Sequence, residues 1–444
     1  MNKKSIIQIH LNHSWVDAAE ITDFGGGRCR FEYDTNYLFG DGSLPVSLTM
    51  PLGFYDAQYL PKEGGALATL DYGLPAFLYD LVPQGRGRQF LSRILGLPDS
   101  DGVELPLLMA GAFNPIGALR LDTAVAFYEQ ESEKLSGGSY DFSHGVDFEE
   151  IQLKSEKFLR ELSLHAMLAS GTTGVQGAAP KYLLTKDKQG LWHPDMGLPD
   201  THAAEHWVLK LPRGRSEDDR LVLRNEAAYL RVAKACGLRT HEDPVYLDDM
   251  LFVRRFDRVV DGGEVTRLQQ ESLASLAGHR GFAVKTSHNE LLNAMREHVS
   301  DPLEETIEYL KRDALNQAMR NTDNHARNTA IQKLSNGLVA LTPIFDFAPM
   351  YKDPEMVPRA VQWNDAAGNV VVDWIGIFNS LELEKSDLQR CAQEMVNFSE
   401  EIAKLAETCS SCGVDQSVID ECESSMDRIA TDLTSLRRLV GAHG

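Results

Sequence analysis

The sequence predicts an α+β fold, and three stretches carry that prediction: short alternating runs near the start, strand-like runs around one helical run between 180 and 260, and helical spacing beyond 285. At 444 residues the chain exceeds one ordinary core, so two or three lobes are expected. With 43% hydrophobic and 25% charged residues it has the balance of a globular protein.

Residues 5 to 10 and 28 to 33 alternate as strands do, with Gly25-Gly26-Gly27 and Gly40-Asp41-Gly42 supplying turns. Near Pro75 the spacing becomes helical and stays so through Arg88 to Leu95, closed by Gly96 and Pro98. The first unit is expected to end near Val125, with a polar, glycine-bearing linker over 131 to 147. Strands are then expected at Lys181 to Thr185, Trp207 to Leu211, Val245 to Leu247 and Leu251 to Phe256, with a helix from Asn225 to Ala235 stopped by Gly237. Farther on, Ala330 to Leu334 and Leu338 to Thr342 flank Asn336-Gly337 as a hairpin, and 382 to 408 and 415 to 440 read as two long amphipathic helices.

Lys and Arg total 44 against 65 Asp and Glu, a net charge of −21, so the surface as a whole repels phosphate backbones and no direct nucleic-acid contact is expected. No apolar run approaches the roughly 20 residues of a membrane span, and the first residues lack the apolar core of a secretion signal. The chain therefore reads as cytoplasmic. Six scattered cysteines fit a reducing compartment, and the close pair Cys409 and Cys412 reads as unpaired thiols near a helix end.

The strongest chemical signal is Asn321-Thr-Asp323-Asn-His325-Ala-Arg-Asn328, followed by the hairpin and then Ile344-Phe345-Asp346-Phe347. Phosphoryl transfer needs a carboxylate to orient the attacking hydroxyl and hard oxygen ligands for Mg²⁺ on the nucleotide phosphates. Kinases arrange these as Asp-x-x-x-x-Asn with a second Asp after a short hairpin, which matches Asp323, Asn328 and Asp346 in order and spacing. One such match alone is expected about once by chance in a chain of this size, with Asn321 and Asp323 merely capping a helix; the hairpin and second Asp lift it above that. Upstream, Lys210 ends a predicted strand where a kinase keeps its phosphate-binding cation, and Glu226 lies on the next helical run, where it could hold that lysine. The segment Ser170 to Lys181 is small, flexible and rich in backbone donors, as a phosphate-covering loop must be, and it is not a Walker A loop.

Taken together, these segments resemble the HipA-like serine/threonine kinases, the toxins of a bacterial toxin–antitoxin class. The match runs over most of the chain: Leu44-Pro-Val-Ser-Leu-Thr-Met, Leu78-Tyr-Asp-Leu-Val-Pro-Gln-Gly, Pro115-Ile-Gly-Ala-Leu, Gly174-Val175-Gln176, Leu209-Lys-Leu-Pro, Asn225-Glu226, Phe252 to Arg258, Gln270-Glu271, Asn321 to Asn328 and Phe345-Asp346. The resemblance implies a two-lobed, kinase-like α+β fold with ATP between the lobes. It would consist of an accessory β-rich subdomain over 1–125, an α+β lobe with the glycine-rich loop over 148–260, and a mainly helical lobe over 261–444.

The same resemblance implies ATP and Mg²⁺ as cofactors. Asp323 is then the base, and Asn328 and Asp346 are metal ligands. Gly174, Val175, Gln176, Lys210, Glu226 and His325 face the nucleotide, with Arg254, Arg255 and Phe256 as the hinge against adenine. Family members are silenced by phosphorylation of the loop; here the usual serine position is Gly171, with Ser170, Thr172 and Thr173 beside it as candidate acceptors. Three further departures place the chain in a divergent branch: Gly177 to Pro180 separates Gln176 from Lys181, arginine replaces the acidic hinge residue, and Ser272 follows Gln270-Glu271. The implied partners are a protein substrate such as an aminoacyl-tRNA synthetase and an antitoxin protein. A nucleotide-binding pseudokinase or antitoxin-binding regulator, and a small-molecule phosphotransferase, stay open as rival readings.

Overall fold

A computed structural model describes residues 3–55, 73–98, 102–136, 145–153, 180–282, 284–353 and 358–440. The chain divides into two compact units, one of Met1–Lys210, Asp257–Glu271 and Gly278–Phe282, the other of Leu211–Phe256, Ser272–Ala277 and Ala283–Gly444.

In the first unit, Lys3–Leu11, Ser14–Gly25, Arg28–Tyr33 and Leu119–Leu121 form an antiparallel sheet in the order third, second, first, fourth. Alternation puts Ile7 and Ile9 on the buried face, where they join Ile21, Phe31, Phe77, Leu78 and Leu91 in one core. The second of these strands was not foreseen, because its turn, Asn12-His13, contains no glycine. Both residues nonetheless take positive φ, 47° and 62°, as a two-residue hairpin turn requires. The helix Gly85–Leu95 stops where expected, with Gly96 at φ 64° accepting the left-handed conformation a side chain resists. The helix Asp122–Ser136, by contrast, runs through Glu131 to Lys134, where the sequence suggested a linker; a Lys134–Glu131 ion pair spans that turn.

A second antiparallel sheet in this unit places Lys181–Asp187 between Trp192–Pro194 and Ala203–Lys210. The segments that carry the family resemblance meet one another here. Glu271 accepts from the Ser47 hydroxyl and the Leu48 N–H, each at 2.9 Å. Asp257 accepts from the Gly117 N–H at 2.8 Å while Arg258 donates to the Gly117 carbonyl.

The second unit opens with the helix Glu217–Ala235, begun by a reciprocal Ser216–Asp219 capping box and ended before Gly237 at φ 75°. Its Leu223 and Ala227 pack on Leu251 of the hairpin Val245–Leu247 and Met250–Arg254. The helices Pro302–Ala318, Lys385–Ala403 and Gln416–Ser435 pack together behind the predicted catalytic segment. The stretch 382 to 408, expected as one helix, instead breaks at Lys404, and Leu405–Cys412 continues in a new direction until Gly413. The apolar residues on both sides of the break, Ile402, Leu405 and Cys409, are buried. All six cysteines are free; five are buried, and Cys412 is partly exposed. Among the described residues, no helix is long and apolar enough to cross a membrane.

Candidate active site

Asp323, Asn328 and Asp346 line one partly enclosed pocket of about 40 Å³, together with Asn321, His325 and Phe345. The segment from Asn321 to Asn328 is irregular rather than helical, so its polar residues do not serve as caps for a following helix. Its bonds are instead internal. The Asn321 side chain accepts from the Asp323 N–H at 3.3 Å and donates through Nδ2 to Asn316 Oδ1 at 2.9 Å, anchoring the loop to the end of Pro302–Ala318. Asn328 donates through Nδ2 to the Asp323 carbonyl at 2.8 Å, which leaves Oδ1 as the atom it can offer a cation. His325 Nε2 lies 3.6 Å from the Asp323 carboxylate, and its backbone carbonyl accepts from the Asn328 N–H at 2.8 Å.

The hairpin between the two halves of the motif is formed as expected. Ala330–Lys333 pairs with Val339–Leu341, and Gly337 at φ 86° makes the turn. Beyond it Asp346 sits at φ 49°, a left-handed conformation uncommon for a residue other than glycine. Such outliers cost about 1–3 kcal/mol and persist where surrounding contacts enforce them. The contacts here begin with Ile344, whose N–H donates to the Arg239 carbonyl at 2.9 Å. They continue through Leu341, whose N–H donates to Glu305 and whose carbonyl accepts from Arg239, and Thr342, whose carbonyl accepts from Arg312 at 2.7 Å. Glu305 and Arg239 are joined by two bonds of 2.8 Å, so one buried carboxylate orders both the arginine and the strand.

A second network braces the other side of the loop. Asp313 accepts from Trp363 Nε1 at 2.8 Å and Arg359 Nη2 at 2.5 Å, with His288 Nε2 3.4 Å away. Contact with His288 and Arg359 holds the Asp313 carboxyl far below the usual range despite its burial, while burial pushes the His288 pKa down to about 4. Asn324, the neighbour of Asp323, donates to the Val361 carbonyl at 2.9 Å and accepts from the Ala360 N–H at 3.0 Å. None of Asp313, His288, Arg359 or Glu305 was singled out in the sequence. The available signal was charge inside an apolar stripe: Glu305, Arg312 and Asp313 interrupt Ile307, Leu310, Ala314 and Leu315 on a single helix and are buried with them.

Of the other expected site residues, Lys210 lies in the first unit, buried, at the end of Ala203–Lys210. Its directly opposed partner across the sheet is Lys181, also buried. Opposed residues share a face, so two ammonium-bearing side chains occupy one region, which suits a polyphosphate. Glu226 lies in the second unit, buried on Glu217–Ala235. That helix is fastened to the candidate site through Tyr229, whose hydroxyl donates to the Met319 carbonyl at 3.0 Å and whose ring lies 5.0 Å from that of Phe347. Of the hinge candidates, Arg255 is buried and Arg254 half-buried, and the Phe256 carbonyl accepts from Gln332. The Phe256 ring lies 6.0 Å from Phe345. Gly174, Val175, Gln176 and the candidate acceptors Ser170, Thr172 and Thr173 lie outside the described residues.

The donor set fits Mg²⁺. One carboxylate and one amide oxygen are what that ion takes from a protein when nucleotide phosphates complete its shell, and no cluster of three or more His, Cys, Asp or Glu suited to a resident metal occurs among the described residues.

The comparisons with known proteins agree with this architecture. Residues 8–122 match the model of the HipA N-terminal domain, and residues 173–403, just over half of the chain, match that of the HipA-like C-terminal domain. Among solved structures, the chain is similar to HipA of Shewanella oneidensis MR-1, solved in a toxin–antitoxin complex with HipB and its operator DNA. The identity is 14%, 99% of this chain and 100% of that one are covered, and the TM-score is 0.61. A proinflammatory kinase of Helicobacter pylori, CtkA, shares 14% identity over 52% of this chain and 92% of its own, with a TM-score of 0.34. No curated protein matches. With both family domains matched in order and the whole chain following a HipA fold, this protein belongs to the HipA family, on a two-lobed α+β fold.

Proposed function

We propose that this chain is an ATP-dependent protein serine/threonine kinase and the toxin of a toxin–antitoxin pair. The observation that carries the proposal is the convergence of Asp323, Asn328 and Asp346 on one pocket, with Asn328 bonded to the backbone of Asp323. Asp323 orients the acceptor hydroxyl and takes its proton as that oxygen bonds to the γ-phosphorus and the bond from the γ-phosphorus to the β,γ-bridging oxygen breaks, releasing ADP. Asn328 Oδ1 and the Asp346 carboxylate would hold Mg²⁺, which when bound would supply positive charge against the nucleotide phosphates. Lys210 and Lys181 meet the nucleotide phosphates. From the resemblance, His325, Glu226, Arg254, Arg255 and Phe256, with Gly174, Val175 and Gln176, are the further residues assigned to nucleotide binding.

The Shewanella relative was solved with its antitoxin, which supports an antitoxin partner here. A translation protein such as an aminoacyl-tRNA synthetase is the proposed target. The test is intact-mass analysis of the purified chain with Mg-ATP, wild type beside Asp323→Ala, with peptide mapping of residues 165 to 185. A phosphate gained only by the wild type, at Ser170, Thr172 or Thr173, supports both the kinase and its loop regulation. If neither protein modifies itself nor a panel of synthetases, the kinase assignment gives way to a nucleotide-binding regulator.

A further inference from the structure

A second, larger pocket of about 500 Å³ opens in the same unit and shares Asn316 and Asn321 with the catalytic pocket. Thr322, the residue before the proposed base, forms part of its wall, and Arg320, Arg359 and Arg428 contribute three guanidinium groups. Trp363 and Val370 to Val372 make its apolar side.

The charge of this pocket runs against that of the chain. In a protein of net charge −21 no carboxylate lines it among the described residues. Asp313 lies behind Arg359, and Asp432 stands 3.7 Å from Arg428; Arg320 stacks 4.1 Å from the centre of the Tyr351 ring and donates to the Glu421 carbonyl. Arg320 also holds a left-handed φ of 55°, so its placement is maintained against a conformational cost. Two polar atoms in the wall, Arg359 Nη1 and Thr322 Oγ1, are buried without a partner. An unsatisfied buried donor is destabilising, and a small rotation of either side chain would let a ligand oxygen relieve it.

The apolar side adds a directional feature. Val370–Val371 is the edge strand of a three-stranded sheet, paired on one side only, with Trp363 opposite Val371. Val370 and Val372 are 55% and 69% exposed, unusual for valine at the end of a small sheet. An extended polypeptide can add to such an edge, giving backbone bonds and seating alternate side chains against the wall. Nucleic acid offers no strand to add there, and the charge of the chain as a whole opposes it.

We infer that this pocket is the acceptor-side subsite of the kinase: it seats an acidic side chain flanked by an apolar one, in the extended segment that presents its hydroxyl to Asp323. This rests on the kinase assignment. Because the two pockets share Asn316 and Asn321 in their walls, the acidic residue lies close in sequence to the hydroxyl.

The test is fluorescence anisotropy without nucleotide, using the full chain and a dye-labelled dodecapeptide with one serine flanked by valine and glutamate. A peptide with lysine for glutamate and a DNA dodecamer serve as controls. The acidic peptide should bind at least about tenfold more tightly than either control. Arg428→Glu, on the exposed face of Gln416–Ser435, and Val372→Asp should each remove that preference, whereas Asp323→Ala should keep it. Equal binding of the acidic and basic peptides, tighter binding of the DNA, or a preference untouched by Arg428→Glu would overturn the subsite. Since binding is read without ATP, a chain that binds the acidic peptide but phosphorylates neither itself nor any protein offered would lose the kinase assignment alone.

Discussion

The Asn328 side chain reaches back five residues and donates to the carbonyl of Asp323 at 2.8 Å. The proposed metal ligand therefore also sets the backbone from which the proposed base projects, and the two roles cannot be separated by removing the side chain. Asn328→Ala should abolish phosphoryl transfer as fully as Asp323→Ala, by at least about 100-fold. Asn328→Asp keeps an oxygen for the cation but loses the amide donor, and should fall between the wild type and these two alanine variants. Rates of phosphate incorporation across the three variants, at matched melting temperature, check the order.

Glu305 is buried and accepts from both Arg239 and the Leu341 N–H. Glu305→Ala leaves those donors unmatched and loosens the strand that leads to Asp346. Because the arginine side chain is 37% exposed, the loss should be nearer 1–3 kcal/mol than the full cost of a broken buried pair, roughly. Urea unfolding should show a lower midpoint with an unchanged slope.

His288 has its pKa pushed from 6.5 down to about 4 by burial. The unfolded chain therefore binds a proton at this residue through the window from about 6.5 to 4 while the folded chain does not, so stability falls as pH drops through that window. Asp313, depressed by His288 and Arg359, adds a loss that begins as pH falls toward its unfolded value. The midpoint of urea unfolding, measured from pH 7.5 to 4.5, should decline in the wild type. It should decline less steeply in His288→Gln, which has no proton to take up.

Lys181 and Lys210 face each other across the sheet and are both buried. Bound polyphosphate should stabilise this arrangement, so saturating Mg-ATP should raise the melting temperature by roughly 5 °C. Lys210→Met should lose most of that rise, and Lys181→Met a comparable share. An unchanged rise in Lys181→Met would show that only Lys210 meets the phosphates.

The grouping of the candidate site residues was legible in the sequence because its signals are local. Asp323, Asn328 and Asp346 sit at short fixed spacings, and Asn336-Gly337 announces the hairpin between them. The turn at Asn12-His13 was not legible: it adopts positive φ without glycine and concealed a twelve-residue strand, whereas Asp248-Asp249, also at positive φ without glycine, fell between two runs already read as strands. The break at Lys404 has no glycine or proline to announce it. The bracing networks were hidden for another reason. Asp313 and Arg359 are 46 positions apart, and Arg239 and Glu305 are 66 apart; only tertiary packing decides which buried charges find partners.

The thiols have a practical side. Burial raises Cys236 and Cys391 to about 12 and pushes Cys409 and Cys422 upward as well, so at neutral pH these remain protonated and shielded from alkylation. Cys412, half-exposed at the end of Leu405–Cys412, is the thiol a maleimide dye reaches first. The native chain thus carries its own attachment point for a spectroscopic reporter, and docking of the proposed antitoxin can be followed by fluorescence without building a cysteine-free background.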